Sequence, residues 1–222
     1  MKKLLTFLTV LSLTLSLCSC ALKNVQDAQI DSSVPEAVTE AMTGKTFSSG
    51  KIQNNVYYSE FSEITITAPN DKWEFADRNY LLSLMEIEET AKDSQKKDEE
   101  IAKRATIYDA LLSDNATGSN ILIEYENLSL AENPEISETE YANKIENELK
   151  SSKTYKYEVS DPYTVIISSK KYTRLDCSTK IERDNVHISY FIRKTNKYMF
   201  VICITPGVTG DITVENMLSF IS

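Results

Sequence analysis

Read for hydrophobic pattern, the chain opens on an apolar run and closes on three β-patterned segments with short joins. Leu4 to Leu17 contains only Thr and Ser as polar members and follows Lys2 and Lys3. That is short for a membrane span and has the shape of a secretory h-region. Residues 21 to 54 show no sustained apolar period and predict a tether, with a short helix around Glu36 to Met42. Val56 to Tyr58 and Ile64 to Thr67 read as strands, the second closed by Ala68-Pro69. Asp77 is placed to cap a helix whose stripe is Tyr80, Leu81, Leu84 and Met85.

Between Glu86 and Arg104 the pattern fails: seven acids and five bases surround hardly an apolar anchor, which predicts an exposed helix or loop. Ala105 to Leu112 fits helix or strand, while Ile121 to Tyr125 alternates like a strand after a turn-rich Asn115 to Ser119, so the two suggest a hairpin. Ser137 and Glu140 form a capping-box signature ahead of Tyr141, Ile145 and Leu149, predicting a helix to about Lys150.

Tyr172 to Glu182, Val186 to Lys194 and Lys197 to Thr205 predict an antiparallel meander turning at Asp184-Asn185 and Thr195-Asn196. The last strand is apolar on both faces, so it belongs at the centre of a sheet covered on both sides. After Pro206-Gly207, Asp211 opens a final helix carrying Ile212, Met217, Leu218 and Ile221. The expectation is an α+β domain over 55–222, an α/β/α sandwich built on a mainly antiparallel sheet.

Leu17-Cys18-Ser19-Cys20 resembles the bacterial lipobox, with Cys20 in register and Cys18 out of it because bulky Leu17 would precede the cut. The resemblance implies removal of residues 1–19, a thioether-linked diacylglycerol on Cys20, and a mature protein held at the cell membrane on its extracytoplasmic side. Each acyl methylene buried contributes about 0.8 kcal/mol, so two chains hold firmly.

Composition then narrows the partners. The 222 residues carry 33 acidic against 24 basic side chains, a net charge of −9, and losing the two leader lysines takes the mature chain to −11. Neither nucleic acid nor anionic lipid headgroups suit such a surface, which leaves the lipid as the hold on the membrane. Charge is uneven: 124–148 holds eight acids and one base, 150–200 eleven bases and five acids. A dipolar surface that orients a protein partner, or a salt-bridged one, would follow.

Candidate chemistry is sparse. With a turn at Asp184-Asn185, Cys177 falls opposite Phe191 or Ile192, roughly 13 to 17 Å along the strand from His187, too far for a nucleophilic dyad. Cys177 and Cys203 lie on strands that flank a third, about 9 to 10 Å apart, which predicts two unpaired packed thiols. The acids Glu124, Glu126, Glu132, Glu135, Glu138 and Glu140 lack a calcium-loop pattern and read as a solvated face. No catalytic, cofactor-binding or metal-binding residue is assigned, and no cofactor is expected.

The order of elements, with Ile64-Thr65-Ile66-Thr67-Ala68-Pro69 leading to Trp73, Phe75 and Ala76, Gly118-Ser119-Asn120 before a strand, and the Tyr190 to Thr205 pair, resembles a group of lipoproteins of Gram-positive bacteria with a PsbP-like fold. The fold is named for the extrinsic oxygen-evolving protein of photosystem II. The resemblance covers residues 55 to 222 and implies an accessory or binding role without catalytic residues. Two other functions stay open: a small-ligand-binding lipoprotein serving a transporter, and a carboxylate-dependent hydrolase.

Overall fold

The computed structural model describes residues 46–87, 94–208 and 212–222. The early strands are β1 (Lys51–Gln53), β2 (Val56–Ser59), β3 (Ile64–Thr67) and β4 (Trp73–Phe75). Helices α1 (Arg78–Leu84) and α2 (Ser94–Ala102) lead to β5 (Thr106–Asp114) and β6 (Ser119–Asn127). Next come α3 (Glu138–Ser151), β7 (Tyr157–Val159), β8 (Tyr163–Ile167), β9 (Lys170–Ile181), β10 (Asp184–Thr195), β11 (Tyr198–Thr205) and α4 (Val214–Leu218).

Among the described residues the large sheet runs β4-β5-β6-β11-β10-β9-β7, with β8 also on β9, and every pairing in it is antiparallel. The fold class is therefore α+β, as expected. β11 lies between β6 and β10 with all eight residues buried, the central place its two-sided apolar pattern predicts.

One face of the sheet is covered by α3, which packs on β7, β9 and β10. Both halves of the Ser137–Glu140 capping box form, and Tyr141, Ala142, Ile145 and Leu149 are buried. The other face is where the sandwich expectation changes. Phe61, in the β2–β3 turn, packs at 5.7 Å on Tyr125 and 5.5 Å on Tyr198, while Tyr125 Oη meets Ser59 and donates to Ser62. The cover over β6 and β11 there is a second sheet, β1-β2-β3, and α4 also packs on β11. The chain's end lengthens that sheet: Ser222 and Thr65 exchange backbone hydrogen bonds beside the Ile66–Ile221 bridge.

One boundary moves and two elements become defined. The domain starts before residue 55, because Phe47 is 5% exposed with its ring 5.3–5.4 Å from those of Phe61, Tyr125 and Tyr198, and β1 pairs with β2 through Asn54 and Asn55 at positive φ. Those two asparagines close a hairpin inside what reads as tether. On α1 the buried residues are Leu81 and Leu82, with the C-cap Met85 buried beside them and Tyr80 turned outward, although Asp77 caps it as predicted. The charged stretch Glu86 to Arg104 becomes helix at α2, anchored by buried Ile101. The expected helix at Glu36 to Met42, and Asp211 as a helix start, lie outside the described residues; α4 is capped by Thr213 through Asn216.

Candidate functional site

Strand β6 alternates, so Ile121, Ile123 and Tyr125 face the small sheet while Asn120, Leu122, Glu124 and Glu126 face the side on which α3 lies. Glu124 is opposite Tyr108 and Val201, and Glu126 opposite Thr106 and Met199. Neither carboxyl reaches solvent: Glu124 is 0% and Glu126 1% exposed. The solvated acidic face expected here is overturned for these two residues, because β6 is an interior strand and both its faces are covered.

Burial pushes the Glu126 carboxyl well above its ordinary range, and the neighbouring Glu124 charge adds to it. Thr106 Oγ1 donates to Oε1 at 2.7 Å and Lys144 acts in the opposite direction, while Oε2 has no hydrogen bond among the described residues. Burial thus favours the neutral form of the Glu126 carboxyl. Lys144 and Glu148, two of the charges it senses, line a surface groove of about 530 Å³ on α3, together with Glu140, Asn143, Asn147 and Ser151. Its walls offer amides, carboxylates and an ammonium to a polar ligand.

A second network fixes where the N-terminal segment enters. The bulge in β5 between Tyr108 and Ala110 turns out Asp109, whose Oδ2 accepts from the Gly50 amide at 2.8 Å and Tyr57 Oη at 2.6 Å. Oδ1 accepts from Arg78 at 3.1 Å, and Arg78 also donates to Ser49 Oγ. Burial, then the Asp109 charge, raises the Tyr57 phenol well above its usual range. A Cβ on Gly50 would lie 2.1 Å from the Tyr57 ring, so only glycine lets the chain pass.

The remaining sequence candidates separate. Cys20 and Cys18 lie outside the described residues. The β9–β10 turn is at Glu182-Arg183, not Asp184-Asn185, so Cys177 sits opposite Ile188; the β10–β11 turn is at Asn196-Lys197, not Thr195-Asn196, which puts Cys203 opposite Tyr190. His187 is next to that position yet pairs with Ser178, which puts its exposed ring on the opposite face from Cys177. The dyad fails by face rather than by distance. Both thiols are free and buried; burial raises Cys177 to about 12, the Asp176 charge adding to it. Among the described residues no three His, Cys, Asp or Glu side chains are placed to hold a metal.

The charge blocks prove to be neighbours. Lys194, from the basic block, bonds Glu135 and the Pro134 carbonyl, and its backbone amide reaches Glu138. At Lys194 the two blocks are joined by an ion pair. Sequence reading missed the Asp109 clasp, since a bulge leaves no periodic trace, though Asn54-Asn55 signalled the hairpin beside it.

These features describe an α+β domain of mainly antiparallel sheet, with a buried acid face and a clasped entry. No family model matches the chain, and no curated protein does. Among solved structures it is similar to the solution structure of cyanobacterial PsbP (CyanoP) from Synechocystis sp. PCC 6803, at 10% identity and a TM-score of 0.44, over 81% of this chain and 94% of that one.

Proposed function

We propose that this protein is a lipid-anchored accessory or binding module on the extracytoplasmic face of the cell membrane, with a PsbP-like domain and no catalytic activity of its own. The observation that carries the reading is the leader: Lys2-Lys3, the apolar run to Leu17, and Leu17-Cys18-Ser19-Cys20 with cysteine in the lipobox register. Acylated Cys20 stands 27 residues before Phe47. The clasp at Asp109 is compatible with this reading, because it fixes Ser49 and Gly50 against the domain.

Crosslinking in the native membrane followed by capture of the full-length protein tests the proposal. A stoichiometric protein partner, lost together with membrane association in Cys20→Ala, is the expected result. Recovery of the protein alone from the soluble fraction would count against it. The second reading, a small-ligand-binding lipoprotein, calls for an apolar cavity, which the open polar groove on α3 is not. Native mass spectrometry of the purified protein distinguishes the two, since a ligand-binding protein carries added mass that Lys144→Ala removes.

A further inference from the structure

We propose that residues 21–45 of this chain dock on the part of the large sheet that α3 does not reach, over β5, β6 and β11. A helix with its side chains is about 10–12 Å across and strands lie about 4.8 Å apart, so one helix covers two to three strands. α3 lies on β7, β9 and β10. On the same side, Leu111, Leu122 and Cys203 form one row across β5, β6 and β11, with Val201 beside Glu124 and Met199 beside Glu126. None of these five apolar side chains is more than 3% exposed. The other helices belong to the opposite face. Arg78 of α1 donates to Ser49 in the clasp, and Asp98 of α2 accepts from the Ser49 amide. The Ala102 carbonyl of α2 accepts from Tyr198, and Glu215 of α4 reaches Arg174, which is in register with Phe191, Ile202 and Ile123. The buried row therefore takes its cover from chain outside the described residues.

Length selects the segment. Residues 88–93 and 209–211 supply six and three residues, whereas 21–45 supply 25, and the leader is absent from the mature chain on the reading proposed above. The segment also ends in the right place, because the Phe47 ring is 5.4 Å from that of Tyr125, which stands between Glu124 and Glu126 on β6. At up to about 3.3 Å per residue it has ample length to pass to the other face. Although the stretch 21–54 as a whole has no sustained period, Ile30, Val34, Val38 and Met42 recur at every fourth position. The helix expected over Glu36 to Met42 puts Val38 and Met42 on one side, as an apolar row requires. Gln26, Gln29, Ser32 and Ser33 bring donors to a floor on which Glu126 Oε2 and Asn120 Oδ1 have no hydrogen bond among the described residues. Docked in this way, the segment holds Cys20 beside the domain instead of at the end of a free coil.

Maleimide labelling of the full mature chain under native conditions, read thiol by thiol by peptide mapping, tests it. Cys203 belongs to the buried row, while Cys177 is opposite Val159 on β7, on the strands that α3 covers. Both are free and buried, and both should label slowly in the native chain. Val34→Asp with Val38→Asp puts two charges on the apolar side of the segment. This variant is expected to speed labelling of Cys203 at least about tenfold and to leave Cys177 unchanged. A thiol placed by Leu122→Cys, one strand further from α3, should respond as Cys203 does. Cys203 that labels fast in the native chain, or stays slow in the double variant, overturns the proposal. So does equal acceleration of Cys177 and Cys203, because the segment covers only one of them. A Cys203 rate that rises on dilution of the native chain assigns the cover to a second copy and overturns it as well. An unacylated Cys20 would label as a separate peptide, so failure of the anchor is read apart from failure of the docking.

Discussion

Strands β11 and β8 are near-twins in composition and opposites in circumstance. Both begin with tyrosine, carry no charge and are rich in β-branched residues. β11 is buried at every position between two partners, while β8 has one partner and leaves Ile166 66% exposed. Local residue preference makes both of them strands; connectivity alone decides which is enclosed. A strand that follows another by a two-residue turn is drawn into the sheet, as β10 and β11 are. β8 instead follows β7 across Ser160-Asp161-Pro162, where the Ser160 amide bonds the Asp176 carbonyl and the chain steps along β9 without leaving the edge.

The contrast is broken most forcefully at the centre. Phe200 on β11 touches the rings of Tyr125 and Tyr172 and lies beneath the Arg193 guanidinium. Phe200→Ala should cost about 3–5 kcal/mol of stability, measured by urea unfolding. At the rim of the same face, Asp109→Ala leaves the Tyr57 hydroxyl and the Gly50 amide without their acceptor and takes the carboxylate from Arg78. A loss of about 2–4 kcal/mol is expected, less than a fully buried pair because Arg78 is one-third exposed. Limited proteolysis should then cut first within residues 46–53.

Glu126 gives a prediction in pH. Its folded-state pKa lies above the ordinary carboxyl value, so the native state holds a proton that the unfolded chain releases above about pH 4.5. Stability attributable to this group is full below that pH and falls as pH rises toward the raised pKa, by up to about 1.4 kcal/mol per pH unit for one proton. Glu126→Gln keeps a neutral side chain and should flatten that slope in melts taken from pH 5 to 8. Smallest of all is the edge: Ile166→Lys should change unfolding stability by less than about 0.5 kcal/mol.

What the sequence made legible follows the same division. Where one physical signal dominates, as in the two-sided apolar run of β11 or the Ser137–Glu140 capping box of α3, element and position were both readable. Where identity depends on contacts distant in sequence, neither was. Glu124 and Glu126 look like surface acids by composition, and their burial follows from β6 sitting inside the sheet. Phe47 reads as one apolar residue in a polar stretch, and its place among Phe61, Tyr125 and Tyr198 comes from the fold of residues far downstream. A turn displaced by two residues changed every cross-strand neighbour of Cys177, because register transmits a small error along the whole hairpin.

The anchor at Cys20 carries the account, and mass spectrometry of the N-terminal peptide from membrane-fraction protein measures it directly. The account predicts a chain beginning at Cys20 with a diacylglycerol mass on that residue, absent from Cys20→Ala. An unmodified Cys20 peptide, or a mature chain that begins downstream of it, would contradict the account.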